Sequence, residues 1–333
     1  MKLKELYELI IRKGIEFDPR GEETANKELE KARKAYSKLN EKEKKEFDAE
    51  SLKNPYPDTR ILYGSPDTQV KNILIGIDME VGELLLADRL NDKSAKGGSA
   101  MNRAKSGLGG KKINLVMAHH PEGRALAGLY QVMRIQSDIL NKVGVSINVA
   151  EDLMKERINE VERALLPVNH TRAVDVARIL EMPFMCCHTP ADNCVTTYLT
   201  KLMDKKKPET VGDVIEALKE VPEYKEASRD KAGPKAIKGD SNARAGKIFV
   251  DMTGGTEGSK DIFEKLAQAG VGTLICMHLS EQHFEKAKKE HINLIIAGHI
   301  SSDNLGLNLM LDEIEKKAKL NIMACSGFKR IVR

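Results

Sequence analysis

Three apolar segments of the chain end in side chains that commonly bind metal ions. "INLVMA" is followed by His119 and His120, "PFMCC" by His188 and Asp192, and "NLIIAG" by His299 and Asp303. In open α/β sheets the functional crevice lies at the carboxyl ends of the strands, so residues distant in sequence can meet there. We therefore expect these six side chains to converge on one site.

The second and third segments share an H-x-x-x-D spacing. If a helix begins just after the histidine, positions i and i+4 lie on one face and can point at one ion. Imidazole and carboxylate suit Zn, Fe, Mn, Co or Ni, and six donors exceed what one catalytic zinc usually takes. The pattern therefore predicts two divalent ions per chain. Their charge would exceed that of the two carboxylates, which favours an anionic, phosphate-bearing ligand.

Strands and helices alternate through most of the chain, which predicts an α/β fold with a largely covered sheet. The segments predicted as strands are "NILIGID", "INLVMA", "PFMCC", "KIFVDM", "GTLICM", "NLIIAG" and "LNIMA". Residues 124–178 have helical spacing and are predicted to be an insertion between two strands. The segment up to Lys53 has the pattern of charged helices with few apolar positions, which we interpret as a solvated or partner-contacting extension.

Composition narrows the class of protein. The 333 residues are 41% hydrophobic and 31% charged, enough for a sizeable core. The net charge of +4 comes without a polybasic block, so neither nucleic acid nor an anionic membrane is indicated. The five cysteines lack C-x-x-C spacing, as is typical of reduced thiols. The charged start does not match a signal peptide, and we expect a cytoplasmic protein.

Several weaker patterns have ordinary structural explanations. Residues 92–112 are rich in Gly, Ser, Ala and Lys, which favours a solvated linker over a lid, and they lack a P-loop motif. "DMTGGTEGS" could hold a phosphate, but a tight strand-to-helix turn explains its glycines better. Cys186 and Cys187 lie in an apolar strand, which favours packing over thiol chemistry or Fe–S ligation. Single histidines are more often hydrogen-bonding residues than metal ligands. We interpret four histidines in this way when each is taken alone: His170, His278, His283 and His291.

The ordered motifs "AHHP", "HTPAD" and "INLIIAGHISSD", with "ILIGID" upstream, resemble the NIF-three-like dinuclear metal-centre family, also labelled GTP cyclohydrolase I type 2. The resemblance runs from about Ile61 to the C terminus. It implies a domain at residues 55–333 with two similar α/β lobes around a di-metal cleft, roughly 55–200 and 245–333. The N-terminal helical extension would be residues 1–54. The resemblance also implies a homo-hexamer, built as a trimer of dimers.

The same resemblance implies roles for individual residues. It makes metal ligands of His119, His120, His188, Asp192, His299 and Asp303. Through "LSEQHFEKAKKEHINLII" it places His283 near the cleft as a non-ligand acid or base. The family usually has glutamate at position 303, and the missing methylene shortens the reach of Asp303 by ~1.5 Å. Asp303 therefore either bridges two ions or stands behind His299 and orients its ring. The helical insertion could narrow the cleft or alter the contacts of the ring-shaped hexamer.

Two functions fit these patterns. The first is a metal-dependent hydrolase that acts on a nucleotide-like or phosphate-bearing substrate, as the GTP cyclohydrolase label implies. The alternative is a non-catalytic protein that binds or delivers metal, or an oligomeric scaffold or regulatory protein. An enzyme should lose turnover but keep its oligomer when metal is removed. A scaffold should lose assembly or partner binding.

Overall fold

The computed structural model describes residues 1–95 and 112–333. Residues 96–111 of the loop predicted at 92–112 lie outside these ranges, and residues 92–95 belong to the helix Val81–Ala95. None of the described helices is long and apolar enough to cross a membrane.

Within the described ranges, strands and helices alternate as the sequence predicts. The strands are β1 (Arg60–Tyr63), β2 (Asn72–Gly76), β3 (Leu115–Ala118), β4 (Phe184–Cys186), β5 (Lys235–Lys238), β6 (Lys247–Asp251), β7 (Val271–Cys276), β8 (Asn293–Ile296) and β9 (Asn321–Ala324). The α-helices are α1 (Leu3–Glu16), α2 (Glu22–Ser37), α3 (Glu41–Glu46), α4 (Val81–Ala95), α5 (Gly123–Ala127), α6 (Leu129–Val132), α7 (Ile135–Val143), α8 (Ile147–Leu165), α9 (Arg172–Ile179), α10 (Thr189–Lys206), α11 (Val211–Lys219), α12 (Pro222–Arg229), α13 (Phe263–Gln268), α14 (Glu281–Lys289) and α15 (His299–Glu315). The seven predicted strands are all present, and β1 and β5 are additional.

The strands form two sheets with the same internal order. The first sheet runs β1-β4-β3-β2-β9 and the second runs β5-β8-β7-β6. In each, the earliest strand is an antiparallel edge and the others are parallel. This common order confirms two similar α/β lobes. The last strand, β9, pairs with β2, so the C-terminal segment returns to the first lobe rather than staying in the second.

Helices cover both faces of each sheet, which is why the parallel strands are continuously apolar. In the first lobe, α1, α10 and α15 pack on one face, and α4 and α9 on the other. The second sheet packs against α10, α11 and α12 on one side. Its other face is covered by α7 and α8 of the predicted helical insertion. The insertion therefore follows a strand of the first lobe but completes the core of the second.

The first helix does not belong to the solvated extension that the sequence predicts. Leu3, Leu6 and Ile10 of α1 are fully buried and pack in one cluster with the first sheet and α15. Their spacing forms an apolar stripe that the intervening charged residues obscure in the sequence. The next helix, α2, fits the prediction better, since only Ala25 and Leu29 are buried in it.

Helices α10 and α15 pack against each other and join the two lobes. Gly306 of α15 lies so close to α10 that an added Cβ would be 2.6 Å from the carbonyl oxygen of Ala191. Real Cβ atoms are not found this close to backbone, so a larger residue would force the helices apart. The close crossing brings the first turns of both helices to one place, next to the carboxyl ends of β3 and β4.

Candidate metal centre

The structure brings all six predicted ligands together at this crossing. His119 and His120 directly follow β3, and His188 is the N-cap of α10. The other three lie near the N-termini of the two crossing helices: Asp192 in the first turn of α10, His299 as the first residue of α15, and Asp303 one turn later in α15. The helices thus begin at the histidines, as the H-x-x-x-D spacing predicts.

These side chains form two overlapping groups, each of which could hold a metal ion. In the first group, ligand atoms of His119, His188 and Asp192 lie within 4.8 Å of one another. In the second group, those of His119, His120 and Asp303 do so. His119 belongs to both, with its Nε2 atom 3.4 Å from Oδ1 of Asp192.

Asp303 faces two sides of the cluster with its two carboxylate oxygens. Oδ1 lies 3.5 Å from Nε2 of His119, whereas Oδ2 lies 3.4 Å from Nε2 of His120 and 3.5 Å from Nε2 of His299. Two ligand atoms that each lie ~2.1 Å from one tetrahedral ion are ~3.4 Å apart. The separations therefore suit atoms that share an ion, and Asp303 reaches both sides although it is shorter than glutamate.

Three of the histidines are oriented by a hydrogen bond from the ring nitrogen that faces away from the cluster. Nδ1 donates to Cys187 O at 3.0 Å in His119, to Asp78 Oδ1 at 2.6 Å in His120, and to Asp58 Oδ2 at 2.8 Å in His188. Such outer hydrogen bonds fix the tautomer and leave Nε2 as the atom that can bind a metal.

The polar atoms at the centre of the cluster are buried and lack partners. Atoms without a hydrogen bond among the described residues include His119 Nε2, Asp192 Oδ1 and both carboxylate oxygens of Asp303. Burial opposes ionisation of Asp303, but the facing rings of His119, His120 and His299 hold its pKa well below the usual range. Unpaired buried charges are costly, and a bound cation would satisfy them. The residues present therefore fit a metal ion.

His283, predicted as an acid or base, lines a cavity that opens from the cluster. Its ring nitrogens contact other parts of the second lobe. Nδ1 lies 2.6 Å from Oγ of Ser280, and Nε2 donates to the carbonyl oxygen of Gly258 at 3.0 Å. These contacts tie the ring of His283 to the loop that contains Gly258. Its role as an acid or base stays a prediction.

His278 lies closer to the cluster than its treatment as an isolated histidine suggests. Its ring centroid is 4.8 Å from that of His299. Its Nδ1 lies 3.3 Å from Oε1 of Glu257, and this carboxylate raises the pKa of His278. His278 follows the end of β7 by two residues, as His120 follows β3. This shared position in two like lobes is the signal that sequence reasoning missed.

The sequence did not indicate the two carboxylates that orient the rings of His120 and His188. Asp78 follows β2 by two residues and so lies at the same end of the sheet as His120, a placement that the motif "ILIGID" could have indicated. Asp58 lies in "NPYPDTR", where the prolines indicate only a break between elements. Besides holding His188, it accepts a hydrogen bond from Oγ1 of Thr189 at 2.6 Å.

The glycine-rich loop after β6 is a packed turn, as the favoured interpretation holds. Gly254 and Gly255 have positive φ angles of 106° and 86°. A Cβ on Gly254 would lie 2.5 Å from the side chain of Gln136, which belongs to α7. Nε2 of Gln136 donates to the carbonyl oxygens of Gly254 and Thr256, both at 2.7 Å. The insertion therefore holds this loop in place.

Comparison with solved structures shows which known fold the chain resembles. A NIF3 superfamily protein from Sphaerobacter thermophilus is 26% identical, covers 81% of this chain and 91% of its own length, and has a TM-score of 0.69. The chain has a NIF3-like fold. Reduced HcgD from Methanocaldococcus jannaschii is a more distant match. It is 13% identical over 86% of this chain and 97% of its own length, with a TM-score of 0.48. The protein ybgI, of unknown function, is 12% identical over 81% of this chain and 90% of its own, with a TM-score of 0.45.

No family model matches the chain, and no curated protein matches it significantly. The NIF3-like fold rests on the comparison with the solved structure, and the His/Asp groups have the spacing to hold a metal ion.

Proposed function

We propose that this NIF3-like chain is a dinuclear metal-dependent hydrolase. The proposed ligands are the six side chains at the helix crossing: His119, His120, His188, Asp192, His299 and Asp303. The observation that carries the proposal is the carboxylate of Asp303, whose two buried, unpaired oxygens face different histidines. One carboxylate shared in this way suits a pair of ions.

A pair of divalent ions would supply a hydroxide nucleophile at neutral pH and positive charge beside the leaving group. The residues of the chain prepare the site for this chemistry. Asp78 holds the ring of His120, and Asp58 holds that of His188, so that both Nε2 atoms stay directed at the cluster. Burial of Asp303 excludes bulk water from its carboxylate and strengthens its interaction with positive charge.

The charges around the cluster favour an anionic group on the substrate. Asp192 and Asp303 would balance only part of the charge of two divalent ions. The described lining of the adjoining cavity contains no lysine or arginine. A phosphate or similar anion would therefore face the metal cluster rather than a protein cation. We propose a nucleotide-like or phosphate-bearing substrate, a class that includes the one in the family's cyclohydrolase label.

A non-catalytic role in metal binding, metal delivery or scaffolding is the alternative. A site that only stores metal has no need of a cavity for a second ligand. This cluster adjoins a cavity that extends into the second lobe. That arrangement favours a site that acts on a bound molecule.

Metal analysis of protein purified without chelator, followed by a screen of nucleotides and phosphoesters with the metal found, tests the proposal. We expect hydrolysis that stops on chelation, returns when metal is added, and is lost in Asp303→Asn. Asp240→Asn, which makes the same charge change at an exposed position, serves as the control. A metal-loaded protein that hydrolyses nothing in the screen but dissociates on chelation would favour the scaffold instead.

We also propose the hexameric assembly that the family resemblance implies. Light scattering over a wide concentration range tests it, and a particle that stays monomeric throughout would contradict it.

A further inference from the structure

A cavity of about 100 Å³ lies inside the second lobe, between the helical insertion and the second sheet. Interiors are normally packed without voids of this size. Its walls are mainly apolar, with contributions from Ile139, Leu140, Met154, Phe249, Leu266 and Leu274. An apolar cavity of roughly 150 Å³ is known to take up benzene, so this one suits a compact group of about one small ring.

The cavity is continuous with the proposed metal centre. Besides the apolar walls, its lining includes His188, Asp192, His299 and Asp303. A molecule whose reacting group lies at the metal cluster could therefore place a second, apolar part in the cavity. The loop 252–259 forms another part of the wall, and Gln136 holds it by two hydrogen bonds. These hydrogen bonds hold this part of the cavity wall in place.

One carboxylate among the apolar walls has no use in the metal centre. Asp251, the last residue of β6, lines the cavity, and its side chain has no hydrogen-bond or ion-pair partner among the described residues. Burial raises the pKa of Asp251 to about 6, although His278 acts in the opposite direction. Asp251 is half-buried, and a carboxylate that loses part of its water without gaining a partner lowers stability unless a ligand satisfies it. Its position suggests recognition of a hydrogen-bond donor on the ligand.

We infer that the cavity binds a compact, flat apolar group that carries N–H donors, such as an amidine or an amino-substituted heterocycle, with Asp251 accepting from those donors. The inference rests on the proposed function only in placing the reacting group of the substrate at the metal cluster. The substrate then has two unlike ends. An anionic or hydrolysable group faces the cluster, and an N–H-bearing ring faces Asp251.

Two small probes of similar shape test the inference. Benzamidine carries N–H donors on an amidine group attached to a single ring, and acetophenone matches its shape without them. Their dissociation constants are measured by ligand-observed NMR with the full chain, after chelation and again with added zinc. We expect wild type to bind benzamidine more tightly than acetophenone in both conditions.

The variants separate the role of the carboxylate from that of the cavity. Asp251→Asn should weaken benzamidine at least ~10-fold, as expected for loss of a charged hydrogen-bond partner, and leave acetophenone within ~3-fold. Asp240→Asn, the exposed control, should change neither. Ile139→Phe should fill the cavity and weaken both probes, with its fold checked by circular dichroism. Benzamidine binding that is absent, or unchanged in Asp251→Asn, would overturn the inference.

The two proposals can fail separately. Asp251-dependent binding of benzamidine in a protein that binds no metal would leave the cavity inference standing and remove the hydrolase. Metal-dependent hydrolysis without Asp251-dependent binding would do the reverse.

Discussion

The two lobes share one strand order but use their strand ends differently. In the first lobe β3 leads into His119 and His120, and Asp78, after β2, holds the ring of His120. In the second lobe β7 leads into His278, which lies at the edge of the cluster. Asp251, at the end of β6, faces a cavity without a partner.

This difference shows how one architecture can support two tasks. Carboxylates of the first lobe are paired with histidines, which fixes the direction of each ring and suits a rigid metal site. In the second lobe the carboxylate of Asp251 has no partner and the cavity is unfilled, which lowers stability and suits recognition of a ligand. Helices α10 and α15 bring the two sets of groups together.

The crossing of these helices should be the most sensitive point. Gly306→Val would place a side chain against the backbone of Ala191, so the helices must separate. We expect the free energy of unfolding to fall by ~3 kcal/mol or more, at the upper end of the usual cost of overpacking. Denaturant unfolding measures the loss, and metal titration should show weaker binding because Asp192 and Asp303 move apart.

Gly82→Val is the matched control. Gly82 lies on the exposed side of α4, and a Cβ there has no neighbour within 4 Å. Its stability should stay within ~1 kcal/mol of wild type, since both residues are poor helix formers. Equal losses in the two variants would show that the crossing is not special.

The carboxylates that contact His120 and His278 should differ in their effect on metal affinity. Asp78→Asn removes the charge that orients His120, and we expect a ~10–100-fold loss of affinity, as is typical of such outer contacts. Glu257→Gln removes the charge beside His278, which is not among the proposed ligands.

Isothermal titration with zinc compares the two variants. The Glu257→Gln protein should bind within ~3-fold of wild type, less than the effect of outer contacts to true ligands. A loss in Glu257→Gln as large as that in Asp78→Asn would make His278 a ligand and remove the distinction between the lobes.

The smallest effect should be a pH-dependent change in stability at Asp251. Burial raises its pKa from 3.8 to about 6 in the folded protein. The charge of His278 opposes this increase, and the charge of Glu257 adds to it. As pH rises through this window the unfolded chain ionises first, so wild type loses stability. Asp251→Asn removes this loss above about pH 6. The full shift corresponds to ~3 kcal/mol, and because Asp251 is half-buried we expect a gain of ~1–2 kcal/mol.

Denaturant unfolding at a series of pH values measures this effect. Parallel curves for wild type and Asp251→Asn would show that Asp251 ionises normally in the fold, so that its carboxylate costs the protein nothing.

Much of the metal cluster could be predicted because local patterns determine it. The H-x-x-x-D spacing places His299 and Asp303 on one helix face, and apolar strands lead to the end of the sheet where ligands gather. The unbroken apolar character of these segments also identifies the seven predicted strands, although β9 is only partly buried. The edge strands β1 and β5 carry mixed, partly exposed residues and give no such signal.

The remaining features depend on packing between distant segments. The burial of Leu6 in α1 is decided by α15, at the other end of the chain. The cavity exists because α7 and α8, which follow a strand of the first lobe, pack on the sheet of the second. In the sequence, Asp251 is only a polar residue at the end of an apolar segment.

The central claim is that Asp303 joins two metal ions in one cluster. The most direct test is the metal content of wild type and Asp303→Asn after saturation with zinc and removal of free metal, measured by mass spectrometry of the elements. Wild type should hold close to two ions per chain, and Asp303→Asn at most one, because a neutral amide is a poor bridge and removes a balancing charge. Wild type that never exceeds one ion, or Asp303→Asn that binds two with unchanged affinity, would contradict the claim.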